Sequence, residues 1–312
     1  MNRIYFMDFM KVFGVFLVIV GHLPLVNDDV MKFVFSFHMP LFFICSGYLF
    51  REKDMNRSFI MKNVKQLLLV MIPFFLIVVI FNLFQNGLFY RDKFTVEAII
   101  ISPLKYLLTG NSRIGWMWFL WALFWMRLSY NLLCNMTKNK YKHYYIFLLS
   151  LVCGYCLYYS NVRLNYYQFS AFIFCMPFFC FGQILSKLRF HEHVKGKKSI
   201  GLIFVLCAMY VILFSCCGKI NMNALNVGND YTTYLLVGFV ANVLFMTIFD
   251  NISVREKLLN VIVVISNGTL VYLCFHGMLI QMFKIAYKKV MHINLPPRIW
   301  IRFPGLLSHS AL

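Results

Sequence analysis

The sequence predicts an all-α protein, a polytopic transmembrane helix bundle of about nine spans with a cytoplasmic N-terminus. Of its 312 residues, 61% are hydrophobic and only 13% are charged, whereas about a quarter of the residues of a soluble domain carry a charge. Apolar runs long enough to cross a bilayer recur along the chain, and basic residues cluster between alternate runs. We therefore expect a lipid bilayer as the protein's surroundings.

Nine segments reach the roughly 20 mostly apolar residues that a membrane-spanning helix needs. They are residues 4–23, 30–50, 66–85, 116–134, 144–160, 166–186, 200–217, 231–250 and 258–283. The gap at 86–115 is predicted to be a polar loop, so no water-soluble domain fits between the spans. We assign one transmembrane domain to residues 1–283. The basic tail at 284–312 is interrupted by three prolines and reads as a truncated or altered last span.

The basic residues predict the orientation, because cytoplasmic loops carry an excess of Lys and Arg. With the N-terminus inside, the cytoplasmic loops hold fifteen basic residues and the outer loops hold six. A net charge of +19 would suggest nucleic acid in a soluble protein, but these charges lie between apolar runs. We expect no nucleic-acid partner.

The ten cysteines lie almost wholly inside apolar runs, and Cys153 and Cys156 form a single CxxC pair. A structural zinc site needs four ligands. We therefore expect no metal and read the cysteines as small apolar residues of helices.

The first span carries three polar groups, although a charge inside a membrane helix costs about 2.5–3.5 kcal/mol. Asp8 is the only one of the 11 acidic residues well inside a span. It precedes Lys11 by three positions, so the two are expected to pair. Lys11 and His22 are related by about 20° of rotation and ~16 Å of rise, and therefore share a helix face. An anchoring ion pair and a histidine at the helix end would give the same pattern without catalysis.

Two further histidines fall at a similar depth in other spans, His38 in the second and His276 in the ninth. We expect the imidazoles of His22, His38 and His276 to approach one another in the outer half of the bundle. Such a cluster suits a proton relay, a metal site or an acyl-transfer site. Taken alone, His38 fits a hydrogen-bonded structural histidine better than a catalyst.

These residues resemble the motifs of acyltransferase family 3, membrane O-acyltransferases that modify cell-surface and secreted carbohydrates. Lys11-x10-His22 is similar to the Arg/Lys-x10-His motif of the family's opening helix, and residues 37–48 (FHMPLFFICSGY) resemble its second-helix motif. Weaker similarities lie at residues 118–120, 177–182 and 268–276. The resemblance covers about residues 1–283, one span short of the roughly ten that the family usually has.

The resemblance implies an O-acyltransferase of the bacterial inner membrane, with multiple passes. It would move an acyl group, usually acetyl, from cytoplasmic acetyl-CoA to a hydroxyl of a cell-envelope or secreted carbohydrate. His22 is then the base that takes the proton of the sugar hydroxyl. Lys11 steadies the thioester or the phosphates of the donor, and Asp8 fixes Lys11.

The same resemblance leads us to assign the binding residues. For the carbohydrate acceptor these are His38, Ser46, Trp118 and His276. For coenzyme A they are Arg51, Lys62 and Lys65, since a basic loop attracts an anion. Lysines stand at 62 and 65 where the family often has arginines, which weakens a bidentate phosphate contact. These charges also fit plain positive-inside topology.

Two other classes of protein fit the polar groups in the spans. A carbohydrate flippase or proton-coupled carrier would also bury histidines and an Asp–Lys pair, although carriers often show internal repeats and the sequence shows none. An inactive partner of another envelope enzyme would fit the shortened C-terminus.

A cysteine introduced by Asn56→Cys is expected to react with a membrane-impermeant thiol reagent only in permeabilised cells, because its loop is the basic segment 51–65. Labelling is compared between intact and permeabilised cells, with the unsubstituted chain as the background for its own cysteines. Labelling of position 56 in intact cells would contradict the predicted orientation.

Overall fold

Helices make up nearly all of the structure, a computed structural model that describes residues 3–23, 26–89, 101, 104, 118–164, 166–194 and 196–291. In chain order the α-helices are α1 (Tyr5–His22), α2 (Asp28–Leu49), α3 (Arg57–Asn63), α4 (Met71–Phe89), α5 (Trp118–Met136), α6 (Lys142–Ser160), α7 (Phe169–Lys187), α8 (Phe190–His193), α9 (Lys197–Cys216), α10 (Tyr231–Asp250), α11 (Glu256–Asn267) and α12 (Thr269–Met291). A π-helical segment, Val64–Leu68, follows α3. Two short antiparallel strands, β1 (Ile220–Asn221) and β2 (Asn226–Val227), form a hairpin between α9 and α10.

The predicted all-α, polytopic bundle is confirmed. Six helical stretches of the described ranges are long and apolar enough to cross a membrane, or seven when the bent pair α11–α12 counts as one. The α5 and α6 helices, which cover two of the nine predicted spans, do not reach that hydropathy. The loop predicted at 86–115 lies outside the described residues except for its first four and two isolated positions, and the tail lies outside them from residue 292.

Large apolar side chains cover the outside of the bundle. On α9, Phe204 is 71% exposed and Val211 and Ile212 are each 65% exposed, and on α4 Ile80 and Phe84 are each 64% exposed. Water would not tolerate such a surface, whereas lipid chains solvate it well. The interior in turn holds buried polar side chains such as Asn131 and Asn242. This distribution is that of a membrane protein.

The α2 and α7 helices cross at two glycines. A Cβ atom on Gly47 would lie 2.0 Å from the carbonyl oxygen of Phe179, and one on Gly182 would lie 2.2 Å from that of Ile44. Only glycine allows the two backbones to approach so closely, as in other small-residue contacts between membrane helices. The side-chain amide of the next residue, Gln183, donates to the carbonyl of Gly47. It also donates to the carbonyl of Phe50 at 2.7 Å.

The Gln183 amide thus binds two carbonyl groups at the end of α2, that of Phe50 and that of Gly47, which also accepts from Phe50 N at 3.1 Å. These bonds fix the point at which α2 ends and the segment 50–56 begins. The crossing therefore positions the loop that carries the predicted basic residues.

The prediction that residues 258–283 form one continuous helix is wrong. The chain breaks after Asn267, and α11 and α12 meet at 73°. The signal lies in Ser266-Asn267-Gly268-Thr269, a tract typical of a turn rather than of a helix interior. We call this corner, residues 266–269, the elbow. The elbow turns the chain between the two helices, and α11 exposes Leu258, Val261 and Val264 on its outer face.

Gly47→Ala is expected to destabilise the protein by about 1–3 kcal/mol, the usual cost of overpacking, because the added methyl meets backbone atoms that cannot rotate away. The measurement is the thermal unfolding midpoint of the detergent-purified protein. The matched control is Gly201→Ala on α9, where a Cβ would meet nothing within 4 Å, so the change should be neutral or slightly stabilising. Equal stability of the two variants would contradict the crossing.

Candidate active site

A cavity of about 680 Å³ opens beside the segment 50–56 and extends into the bundle. Its walls are one face of α2, one face of α5, the start of α12, and α3 with the π-helical segment. On α5 the lining residues Phe119, Leu123 and Arg127 recur every four positions and so form one helix face. The size is that of a site for a cofactor-sized ligand.

The charge of this cavity is one-sided. The described lining contains no carboxylate. It contains five cationic side chains, those of Lys11, Arg51, Lys53, Lys62 and Arg127. Apolar walls between the cations keep the local dielectric low and strengthen the field. The site therefore favours an anionic ligand.

Neighbouring charged side chains of the segment 50–56 point alternately toward the cavity and away from it. Phe50 has extended backbone angles, and in an extended chain neighbouring side chains point to opposite sides. Arg51 and Lys53 line the cavity, whereas Glu52 points away and accepts a 2.5 Å hydrogen bond from Lys142 Nζ. The Nζ of Lys187 lies 3.5 Å from the other carboxylate oxygen. Glu52 is thus held outside the cavity, and Asp54, the other acidic residue of this stretch, is not part of the described lining either.

Asn131 and Asn135 of α5 fix the same segment through its backbone. The Asn131 side chain accepts from Lys53 N at 3.0 Å and donates to Lys53 O at 2.9 Å. Asn135 donates to the same oxygen at 2.9 Å. This clamp places the Lys53 backbone at the level of Asn131 on α5.

Glu52 also belongs to a group that resembles a metal site. Its carboxylate, the Cys134 thiol and the His143 imidazole bring ligand atoms within 4.8 Å of one another. Tyr130 and His143 Nδ1 are hydrogen-bonded at 2.6 Å. Two ammonium groups, those of Lys142 and Lys187, already compensate the carboxylate. A divalent cation would have to displace them, so we assign the group no metal.

The predicted pairing of Asp8 with Lys11 is wrong. Asp8 accepts from Arg3 Nε at 2.7 Å and from Arg3 Nη2 at 3.0 Å. Ser266 Oγ donates to the same carboxylate at 2.5 Å. The bidentate guanidinium is a better partner for a carboxylate than an ammonium group. Asp8 therefore ties α1 to the elbow, and Lys11 faces the cavity instead.

The predicted approach of the histidines is confirmed. The rings of His22 and His276 are edge to face with centroids 4.8 Å apart. Phe35 lies between His22 and His38, with ring centroids 5.7 Å and 5.2 Å from theirs. We call these three imidazoles the histidine cluster. It joins α1, α2 and α12.

Each ring of the histidine cluster is held in the same way. Nδ1 contacts a carbonyl oxygen of its own helix, at 2.7 Å for His22 to Val18, 2.8 Å for His38 to Val34 and 2.9 Å for His276 to Leu273. A carbonyl oxygen only accepts, so Nδ1 carries the hydrogen and, in the neutral ring, Nε2 carries the lone pair. This is the tautomer that a general base needs at Nε2.

The cavity leads toward the histidine cluster. Phe42 lines the cavity and His38 lies one helical turn further along α2, about 6 Å of rise. On α12, Leu273 lines the cavity and His276 follows three positions later. A basic site and a site of imidazole bases thus lie end to end within one bundle.

The other predicted site residues are divided between the cavity and its surroundings. Ser46 lines the cavity and accepts from Arg127 Nη2 at 3.3 Å. Trp118 is buried at the start of α5, edge-on to Phe43 at 6.1 Å. Arg51 and Lys62 line the cavity, whereas Lys65 is exposed and lies outside the described lining.

Two residues at or beside the site, Arg3 and Arg127, were not predicted from the sequence. Arg3 precedes the first predicted span and gives no periodic signal. Arg127 was detectable, because it is a charge inside the span predicted at 116–134, where charges are costly and usually functional.

Comparison with known proteins gives one result. A family model described as an acyltransferase domain matches residues 4–308 of this chain. No curated protein and no solved structure matches this chain.

Glu52→Gln is expected to lower the stability at neutral pH by about 1–2 kcal/mol, because Lys142 loses a charge-assisted hydrogen bond that is only partly exposed. Burial alone would raise the pKa of Glu52, but the hydrogen bond and the charges of Lys142 and Lys187 outweigh it and hold that pKa below its usual value. A lowered carboxyl pKa stabilises the fold above the unfolded-state pKa, and this stabilisation is lost as the pH falls through the folded-state pKa.

The unfolding midpoints of wild type and Glu52→Gln should therefore converge in acid. Glu192→Gln is the control, since Glu192 is 51% exposed and its contact with Arg189 is 3.8 Å long. A constant difference between wild type and Glu52→Gln across the acid range would show that the charge of Glu52 is irrelevant.

Proposed function

Because this chain belongs to the acyltransferase domain family, we propose that it transfers an acyl group, most simply acetyl, from acyl-CoA to a hydroxyl of a cell-envelope or secreted carbohydrate. The family match agrees with the resemblance of the sequence motifs over nearly the whole chain. A bacterial inner membrane, with the N-terminus in the cytoplasm, is the setting that we propose for this reaction.

The observation that carries this proposal is the order of two sites along the bundle, the basic cavity followed by the histidine cluster. A cavity with five cations and no described carboxylate suits an anionic donor. Its deeper part is lined by apolar residues such as Phe42, Phe119 and Leu273, which suit an uncharged thioester arm. The histidine cluster follows directly, so a donor entering from the basic end would bring its acyl group near the imidazoles.

The proposed reaction uses His22 as the base. The hydroxyl oxygen of the sugar attacks the thioester carbonyl carbon, and His22 Nε2 takes the hydroxyl proton. A carbon–oxygen bond forms, the carbon–sulfur bond breaks, and coenzyme A leaves as a thiolate that acquires a proton. The hydrogen bond from His22 Nδ1 to Val18 O fixes the ring and stabilises the imidazolium.

Lys11 keeps the donor-binding role first expected of it, whereas Asp8 receives a different role. Lys11 faces the cavity and binds the donor. Asp8 is a positioning residue, because its contacts hold Arg3 and the elbow rather than Lys11. The elbow in turn contributes Ser266, Asn267 and Thr269 to the cavity.

The test is incubation of the purified protein with radiolabelled acetyl-CoA and a panel of envelope carbohydrates. Release of free thiol together with label on the carbohydrate supports the acyltransferase. Movement of a carbohydrate across proteoliposomes without label transfer would replace it with the carrier, which the buried histidines also fit.

His22→Ala is expected to lower the transfer rate by about 10²–10⁴-fold, the usual contribution of a general base, while the protein remains folded in detergent. The exposed residue His193 supplies the control, and His193→Ala should retain the wild-type rate. Near-normal transfer by His22→Ala would move the role of base to His38 or His276.

A further inference from the structure

Arg127 is a cation inside the bundle that no carboxylate of the described residues compensates. It lies in the middle of α5 and lines the cavity. Its Nε is screened from solvent and makes no hydrogen bond within the described part of the chain. Its Nη2 donates only a long bond, 3.3 Å, to the hydroxyl of Ser46. Among the described residues no carboxylate lies within 4 Å of the guanidinium.

An arrangement of this kind is unfavourable unless a ligand completes it. A guanidinium cannot lose its proton, so it cannot escape the cost of burial by becoming neutral. The cations nearby, Lys11, Arg51, Lys53 and Lys62, raise the cost further because they repel it. An anion in the cavity would relieve both effects at once, and the fork of N–H groups on Arg127 suits an oxyanion.

The depth of Arg127 selects the kind of oxyanion. Asn131, which clamps Lys53 at the cavity rim, follows Arg127 by one helical turn, so the guanidinium lies about 6 Å inside the rim. Its partner Ser46 lies eight positions from His38 on α2, which is about 12 Å of rise. A carboxylate on the transferred acyl group would lie within a few bonds of the reacting carbon and so could not reach back to Arg127. The phosphates of coenzyme A are separated from the thioester by the pantetheine arm and can.

We propose that Arg127, supported by Ser46, binds a phosphate oxygen of the acyl donor partway along the cavity. This assignment rests on the proposed function, because it takes coenzyme A as the donor carrier. Arg51, Lys53 and Lys62 at the rim attract the donor, whereas Arg127 fixes its depth and therefore the distance of the thioester from the histidine cluster. Arg127 is a donor-binding residue and takes no part in bond making.

The experiment measures the binding of coenzyme A, pantetheine and inorganic pyrophosphate to the full chain by calorimetry in detergent. Arg127→Gln keeps a hydrogen-bonding group but removes the charge, and Arg127→Lys keeps the charge but removes the fork. Arg255→Gln is the matched control, since Arg255 is exposed in a loop outside the cavity lining. Unfolding midpoints of all four proteins confirm that they are folded.

We expect Arg127→Gln to weaken coenzyme A binding by about ten- to a hundredfold, the range for a charge-assisted hydrogen bond, with a smaller loss for Arg127→Lys. Pantetheine, which lacks phosphates, should bind all variants alike, and Arg255→Gln should match wild type. In the transfer assay, Arg127→Gln should raise KM for the donor far more than it lowers kcat.

Unchanged coenzyme A affinity in Arg127→Gln would overturn the proposal, as would an equal loss for pantetheine, which would indicate a distorted cavity. If wild type binds pyrophosphate through Arg127 but does not bind coenzyme A, the oxyanion site stands and the proposed acyl donor fails. If wild type binds neither, the oxyanion site itself is refuted.

Discussion

The close crossing of α2 and α7 is the contact on which the position of the cavity depends. Gly47 and Gly182 bring two backbones together, and Gln183 then binds the carbonyl groups at the end of α2. Because α2 must end there, the next residues form an extended segment beside α5 rather than another helical turn. That segment supplies Arg51 and Lys53 to the cavity, while the same helix carries Ser46, Phe42 and His38 along its length. One backbone contact thus sets the register of the basic site and of the imidazoles.

Cationic side chains line the cavity, whereas nearby carboxylates are paired with residues outside it. Two carboxylates close to the site are occupied elsewhere, Asp8 by Arg3 and Ser266, and Glu52 by Lys142. Had either faced the cavity, it would have neutralised part of the field that an anionic ligand meets. Both pairs also do structural work, because one holds the elbow and the other holds the segment 50–56. Asp8 and Glu52 therefore support the walls of the cavity without reducing its positive charge.

The sequence was enough to predict the helices and the histidine cluster, because both follow from one-dimensional properties. Apolar runs mark the helices, and depth along each run placed His22, His38 and His276 at one level. The partner of Asp8 was missed because Arg3 returns from outside the helix, and helical spacing alone pointed to Lys11. The elbow was missed because residues 258–265 continue the apolar run of α12, which masked the turn signal at residues 266–269. The cavity could not be predicted at all, since its walls come from segments far apart in the chain.

The uniform tautomer of the histidine cluster has a consequence for proton stoichiometry. All three rings commit their Nδ1 hydrogens to backbone carbonyls, so each can gain a proton only at Nε2. Two imidazolium ions with centroids 4.8 Å apart would repel each other by about 3.5 kcal/mol at an effective dielectric constant near 20. A second positive charge on the His22–His276 pair is therefore disfavoured. Under the proposed reaction, the proton that His22 takes from one acceptor must pass on, most directly to the departing thiolate, before the next acceptor can react.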